Sequence, residues 1–496
     1  MADLYLGIDA GSSVLKAAVF DAEGRQHAIA SRRTPLNRPW PGWVEADPDA
    51  CLAALDAVIA EAASATGRPE AIAAIGISGA MVGAWFVDAD GRAIRPGINW
   101  EDSRSQTLLD AMIAGRPSLM SDIFAISGSV LQQGCTLPLL AWFRRNAPET
   151  LARAAHVLTY KDFLRHHLTG TFAADRSEAA VLPGDARTQG RSAELMALFG
   201  IGDLDPLLPD VSASQDIAGH LTKDAAARTG LAAGVPVVAG AGDVIANVIG
   251  AGGLKAEAAT AILGTTCMVG VCHDEPVFTP PDLGLLFSLP ERHWYRAMVN
   301  VAGTLNLDWA TRLVAPDLAG DPDLFARVTE MAESVAPGAN GVTYLPYLSQ
   351  SGIIAPVADP NARAQFCGLH SGHNPADMIR SVYEGVAFAL ADLIDLLAIA
   401  PETPVTLTGG GSRSALWCHM IADVTGRTIA VPVGTEFGAR GAALLAATAL
   451  GRFETVSAAS RAVAAGGTRY SPSADAANIW SEPRARFADF RDRLLG

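Results

Sequence analysis

The sequence predicts an α/β protein of two lobes built from a duplicated core, with a ligand cleft between them. Three observations carry that prediction. Short apolar strands alternate with amphipathic helical stretches along the chain, the pattern of an α/β fold. A unit of strand, Gly with Ser or Thr, and strand occurs at residues 4–20 and again at 258–272, which reads as a repeated supersecondary unit. The length of 496 residues accommodates two or more domains at about 100–200 residues each. We place the division in the glycine-rich stretch 250–253, giving lobes of 1–250 and 251–496. Clefts between lobes are favoured ligand sites.

The elements follow in order. Residues 4–8 read as a strand, a Gly-Ser turn follows, and residues 14–20 return as a second strand, a hairpin signature. Residues 49–65 place apolar side chains at helical spacing, with Asp49 as the candidate cap. Residues 71–77 and 84–87 read as strands. In the second half, residues 258–263 and 267–272 flank the Gly264-Thr265-Thr266 turn. A long amphipathic helix is predicted over 376–398. A strand over 404–408 runs into Gly409, and helices are predicted over 414–424, 438–450 and 475–495.

Composition excludes several classes. The net charge of −15 and pI near 5.1 argue against nucleic acid, which needs a basic surface, and against anionic membranes. A small anion such as ATP remains compatible, because local backbone N–H groups decide that binding. Six scattered cysteines without a CxxC pair do not form a disulfide framework and read as buried thiols. The N-terminus lacks a basic segment followed by an apolar one, so no signal peptide is expected. The most apolar stretch, residues 232–253, is rich in Gly and carries Asp243 at its centre, which disfavours a membrane span. The expectation is a cytoplasmic protein.

Four places carry candidate chemistry. Asp9, Gly11, Ser12 and Ser13, with Lys16 shortly after, form a tight turn at a strand end. Such a turn points backbone N–H groups at phosphate oxygens, and the acid can hold Mg²⁺ through water. An ordinary hairpin with a capping Asp is the competing reading. Gly264, Thr265 and Thr266 repeat the arrangement in the second lobe. Gly409, Gly410, Gly411 and Ser414 lie between a strand and a helix, where the backbone can approach a flat ligand closely; a plain flexible loop is the alternative. Asp243 interrupts an apolar run, a costly position for an acid without a role. A carboxylate there can accept the proton of a hydroxyl attacking a phosphate, or cap the helix that follows.

The order of these pieces resembles the FGGY carbohydrate kinases, within the actin/Hsp70/hexokinase group of ribonuclease H-like folds. The resemblance runs from Leu4 to about Leu450 and is most specific at residues 364–369 followed by Asp377 to Glu384. The segment Thr136 to Phe143 keeps the shape of a second family signature, with Leu139 or Leu140 where Lys is usual. The resemblance implies ATP and Mg²⁺ as cofactors, with Asp9 near the metal and Asp243 as general base. It implies phosphate contacts from the two turns and adenosine contacts from Gly409, Gly410, Gly411 and Ser414. It implies substrate contacts from Met81, Trp100, Asp102 and Arg104, besides Asp243. Homodimers are common in the family; the sequence itself carries no interface signal.

The substrate implied is a small ketose or polyol, foremost D-xylulose phosphorylated to xylulose 5-phosphate. Xylulose kinases carry Met-His-Gly where this chain has Met81-Val82-Gly83, and Trp-Asn-Asp-x-Arg where it has Trp100-Glu101-Asp102-Ser103-Arg104. The Arg-Glu pair of glycerol kinases is absent at that turn. Residues 131–134 and 304–309 are similar to erythritol and L-xylulose kinases. A nucleotide-binding sensor on the same fold, without sugar turnover, is the alternative from another class. An NAD-dependent dehydrogenase lacks its glycine fingerprint here.

Overall fold

The first strand, Leu4–Ala10, is buried on both faces, and its alternation decides the architecture. Leu4, Leu6 and Ile8 pack with Cys51, Leu55 and Val58 of the helix Pro48–Ala65. Tyr5 packs on the other side with Ala439 and Ala443 of the helix Phe437–Ala449. Side chains alternate with period two along a strand, so Gly7 and Asp9 face that second helix as well. The computed structural model describes residues 3–495 except 319, 320, 322, 350, 351 and 360.

Two large sheets share one topology. In the first, Leu4–Ala10, Val14–Phe20 and Gln26–Arg33 form an antiparallel meander. Ile72–Gly79 joins parallel to Leu4–Ala10, and Pro236–Val238 and Ala241–Gly242 join parallel to Ile72–Gly79. Ile217–His220 closes the edge antiparallel. In the second, Ala259–Leu263, Cys267–His273 and His293–Asn300 form the meander. Val405–Thr408 and Ile429–Val431 add in parallel, and Thr468–Tyr470 closes antiparallel. The second sheet adds Leu285–Leu289 beside His293–Asn300, and each sheet counts seven strands. The duplication read from two short motifs thus extends across both sheets.

The helices Asp243–Gly250 and Phe437–Ala449 join the lobes by crossing at backbone distance. A Cβ on Gly441 would lie 1.9 Å from the Ala246 carbonyl oxygen, and one on Gly250 2.0 Å from that of Phe437. A Cβ on Gly7 would lie 1.8 Å from the Ala439 carbonyl oxygen. Only glycine permits such approach. A helical insertion between Ile72–Gly79 and Ile217–His220 has its own core, including Ile123, Leu139, Leu140 and Phe143. Leu139 and Leu140 are fully buried there, so this helix has no place for an unpaired Lys.

Three local expectations are corrected. The helix at 49–65 begins at Pro48, and Asp47 caps it by accepting from the Asp49 and Ala50 amides. Proline lacks the N–H and suits the first helical position, which moves the cap back. Asp243 is not the cap of its helix: Gly242 is, and Asp243 is the first helical residue. Of the six free cysteines five are buried, while Cys367 is partly exposed. No helix among the described residues is long and apolar enough to cross a membrane.

Candidate active site

Asp9 and Asp243 lie at the C-terminal ends of the two strands that flank Ile72–Gly79. Ser78 pairs with Asp9 on one side and Ala241 on the other, which places Asp243 one short turn beyond the first sheet's edge of strands. Ligands in open α/β sheets bind at these strand ends. Both carboxylates are partly buried. Burial pushes Asp9 up to about 6, opposed by the Lys16 charge and reinforced by Glu436. Burial and the negative charge of Asp9 together push Asp243 up to about 7. The Val244 amide donates to Asp243 Oδ1 at 2.8 Å and fixes its rotation.

The first turn is held from three sides. The Gly11 amide donates to the Val14 carbonyl at 3.1 Å. Thr34 Oγ1 donates to the Gly11 carbonyl at 2.8 Å, and Trp100 Nε1 donates to Ser12 Oγ at 2.7 Å. Ser13 is exposed at the tip. Lys16 Nζ pairs with Glu436 at 2.7 Å, joining the first sheet to the start of the helix Phe437–Ala449. The same helix start crowds Asp9, since a Cβ on Gly438 would lie 2.6 Å from its Oδ2. A helix N-terminus favours anionic groups.

The second turn and the glycine loop lie side by side. The Gly303 amide donates to the Thr265 carbonyl at 2.6 Å and the Thr304 amide to that of Gly264 at 2.7 Å, leaving Thr265 exposed and Thr266 partly so. Gly409 has φ +86°, and a Cβ there would lie 2.5 Å from the Leu263 carbonyl oxygen and 3.0 Å from the Gly264 nitrogen. A Cβ on Gly411 would strike the Leu263 side chain, whereas one on Gly410 would meet nothing within 4 Å. Gly410 is therefore the open face of the loop. Ser414 Oγ accepts from the Trp417 amide and caps the helix Ala415–Thr425. Thr408 Oγ1 donates to Asn247 Oδ1 at 3.1 Å, linking this loop's strand to the helix that carries Asp243.

On the other side of Asp243, Met81 Sδ lies 2.3 Å from where a Gly242 Cβ would stand. Met81, Val82, Asn99, Trp100, Thr34 and Tyr160 line a small recess. The structure thus brings Met81 and Trp100 to the site but gives Asp102 and Arg104 another task. Asp102 is fully buried; its oxygens accept from the Val44 amide at 2.7 Å and from Arg104 at 2.8 Å. Arg104 also pairs with Glu45 and lies 3.8 Å over the Trp43 ring. Both Asp102 oxygens are engaged and brace the loop below Trp100; Arg104 joins that brace but keeps its Nη1 buried without a partner.

Several site residues were not singled out from the sequence. Ser78 Oγ lies 3.4 Å from Asp9 Oδ1. Glu436, Gly438, Asn247 and Thr408 reach the site from distant segments. Ser177 and Glu178 do so from the short helix Arg176–Val181. Only Ser78 left a local trace, its position in an apolar strand just before Gly79.

Two matching sheets, each opening on a Gly-hydroxyl hairpin turn, joined by crossing helices of which one begins at Asp243, define a two-lobed phosphotransferase fold of the actin/Hsp70/hexokinase type. Residues 4–250 match the N-terminal domain of the FGGY family of carbohydrate kinases, and residues 259–450 match its C-terminal domain. The chain belongs to this family and is an ATP-dependent sugar kinase by that membership. It is 35% identical over 454 residues to a xylulose kinase of Escherichia coli, covering 89% of each chain. It is 32% identical to an erythritol kinase of Brucella abortus, covering 91% of this chain and 88% of that one. A crystal structure of a xyloylose kinase from Brucella ovis superposes with a TM-score of 0.87 at 30% identity, covering 99% of each chain.

Proposed function

We propose that this chain transfers the γ-phosphoryl group of ATP to a primary hydroxyl of D-xylulose, with Asp243 as the base, in the cytoplasm. The observation that carries the reading is Asp243 itself: it follows the Gly242 that packs against Met81, lies close enough to Asp9 to feel its charge, and has a pKa raised to about 7. A base with a pKa near the working pH combines a useful ionised fraction with good proton affinity. Asp243 takes the hydroxyl proton as the oxygen bonds phosphorus, and the bond from phosphorus to the ADP oxygen breaks in line. Gly11, Ser12 and Ser13 on one side and Gly264, Thr265 and Thr266 on the other hold the phosphates. Gly409, Gly410 and Gly411 receive the adenosine, with Ser414 fixing the helix behind them. Lys16 offsets charge beside Asp9.

Mg²⁺ fits this donor set. No cluster of three or more ligating side chains occurs among the described residues, and Mg²⁺ is commonly held by one or two carboxylates plus substrate phosphates. Asp9 would hold it, directly or through water, and the ion would neutralise phosphate charge. The lobe division at 1–250 and 251–496 is part of the same proposal.

A coupled ADP-release assay against D-xylulose, L-xylulose, erythritol and other small ketoses and polyols tests the reading. We expect D-xylulose to give the highest kcat/KM. Erythritol or L-xylulose ahead of it would reassign the substrate, as the similarity to an erythritol kinase allows. Nucleotide binding without turnover of any of them would favour the sensor.

A further inference from the structure

Behind the recess lies a buried polar network that the phosphoryl transfer described above does not use. Lys161 and Asp175 are fully buried and pair at 2.9 Å; Lys161 also pairs with Asp162 at 2.5 Å. Asp175 Oδ2 accepts from the Ser177 amide, from Ser177 Oγ at 2.6 Å and from Ser214 Oγ at 3.1 Å. Ser177 Oγ in turn accepts from the Gly242 amide at 2.9 Å. That amide immediately precedes Asp243. The adjacent Glu178, only 1% exposed, accepts from the Val82 amide at 3.1 Å through Oε2. Its Oε1 is buried without a hydrogen-bond partner.

Val82 is the unusual residue on this wall. Its φ is +58°, a conformation that a β-branched side chain rarely adopts. Gly83 follows at φ +78°. Two neighbouring residues of one short helix therefore hold two turns of the site. Ser177 holds the turn that leads to Asp243, and Glu178 holds the turn that carries Met81 and Val82. Such strain persists only where the surroundings over-determine it.

We propose that Glu178 is a positioning residue of the sugar site, which through the Val82 amide fixes the left-handed Met81–Val82–Gly83 turn and so sets which sugars fit; this rests on the carbohydrate kinase reading above. Burial, reinforced by Asp175 and Asp162 and opposed by Lys161, holds the Glu178 carboxyl well above the usual range. An amide at this position accepts the same N–H.

The test uses the full chain and four variants: Glu178→Gln, Glu178→Ala, Val82→Gly and the Ala/Gly double variant. KM and kcat are measured for D-xylulose, erythritol and ATP. E178A raises the D-xylulose KM about five- to tenfold, the size of one lost hydrogen bond, and lowers the ratio of kcat/KM for D-xylulose over erythritol. The ATP KM stays unchanged. E178Q restores most of the loss. Glycine tolerates positive φ unaided, so E178A costs less in the V82G background than alone. The substrate ratio is insensitive to the fraction of folded enzyme, so a merely structural role leaves it unmoved. An unaltered ratio in E178A, or E178Q as impaired as E178A, overturns the proposal. Should E178A fail to fold, V82G alone decides: a ratio unchanged from the parent refutes control through this turn. A parent enzyme that phosphorylates no sugar would sink the kinase reading itself, an outcome distinct from these.

Discussion

Replacing Asp243 by Asn separates the two consequences of its environment. Asn keeps the shape and the acceptor for the Val244 amide, and removes the charge and the proton affinity. Loss of a general base costs about 10²–10⁴ in rate, so we expect kcat to fall by that range with the ATP KM little changed. Stability should move the other way. The carboxyl rises from its ordinary 3.8 to about 7 in the folded protein, a gap of about three pH units or about 4 kcal/mol at most. Asp243 is partly open to water, which reduces this to about 1–2 kcal/mol. Because the folded pKa lies above the unfolded one, the contribution is complete below about pH 4 and is lost as pH rises through about 7. Asn never ionises. The ligand-free variant should therefore melt about 1–2 °C above the parent at pH 8 and close to it at pH 4. Differential scanning fluorimetry at both pH values and the ADP-release assay measure the two effects. A kcat within tenfold of the parent refutes the base assignment. A melting difference independent of pH refutes the electrostatic argument.

Gly441→Ala should destabilise the protein by about 1–3 kcal/mol or more, because its Cβ would stand 1.9 Å from the Ala246 carbonyl oxygen; an unshifted Tm would contradict the crossing geometry. Gly410→Ala should melt like the parent, since nothing lies within 4 Å of the new methyl, yet raise the ATP KM several-fold. A normal ATP KM would remove this loop from the nucleotide site. Lys161→Met should cost about 3–5 kcal/mol in denaturant unfolding by leaving Asp162 and Asp175 buried beside one charge fewer; a loss below about 1 kcal/mol would contradict the paired network.

What the sequence revealed was whatever is local. The two hairpin turns announce themselves because strand, glycine, hydroxyl and strand are contiguous. Asp243 stands out because an acid in an apolar, glycine-rich run is costly without a role, though the run alone allowed a helix cap as readily as a base. The first strand runs to Ala10 instead of residue 8, because Asp9 keeps pairing with Lys16 and Ser78 after the apolar pattern ends. Asp102 and Arg104 show how local reading fails. The family resemblance implied contacts to substrate, but Glu45 and Trp43, about sixty residues back in the chain, enclose them. Glu178, Asn247 and Glu436 were invisible for the same reason: each acquires its partner only when segments tens to hundreds of residues apart come together.

The helix that begins at Asp243 is also half of the joint between the lobes. Its mate is pressed on Asp9 at one end and on Ala246 farther along. Both acids are carried by the first sheet, so their spacing is set within one lobe and does not depend on the other. What the glycine bearing sets is how closely Glu436 and the helix after it lie over Asp9, and one added methyl along the crossing would spoil that fit without touching either acid.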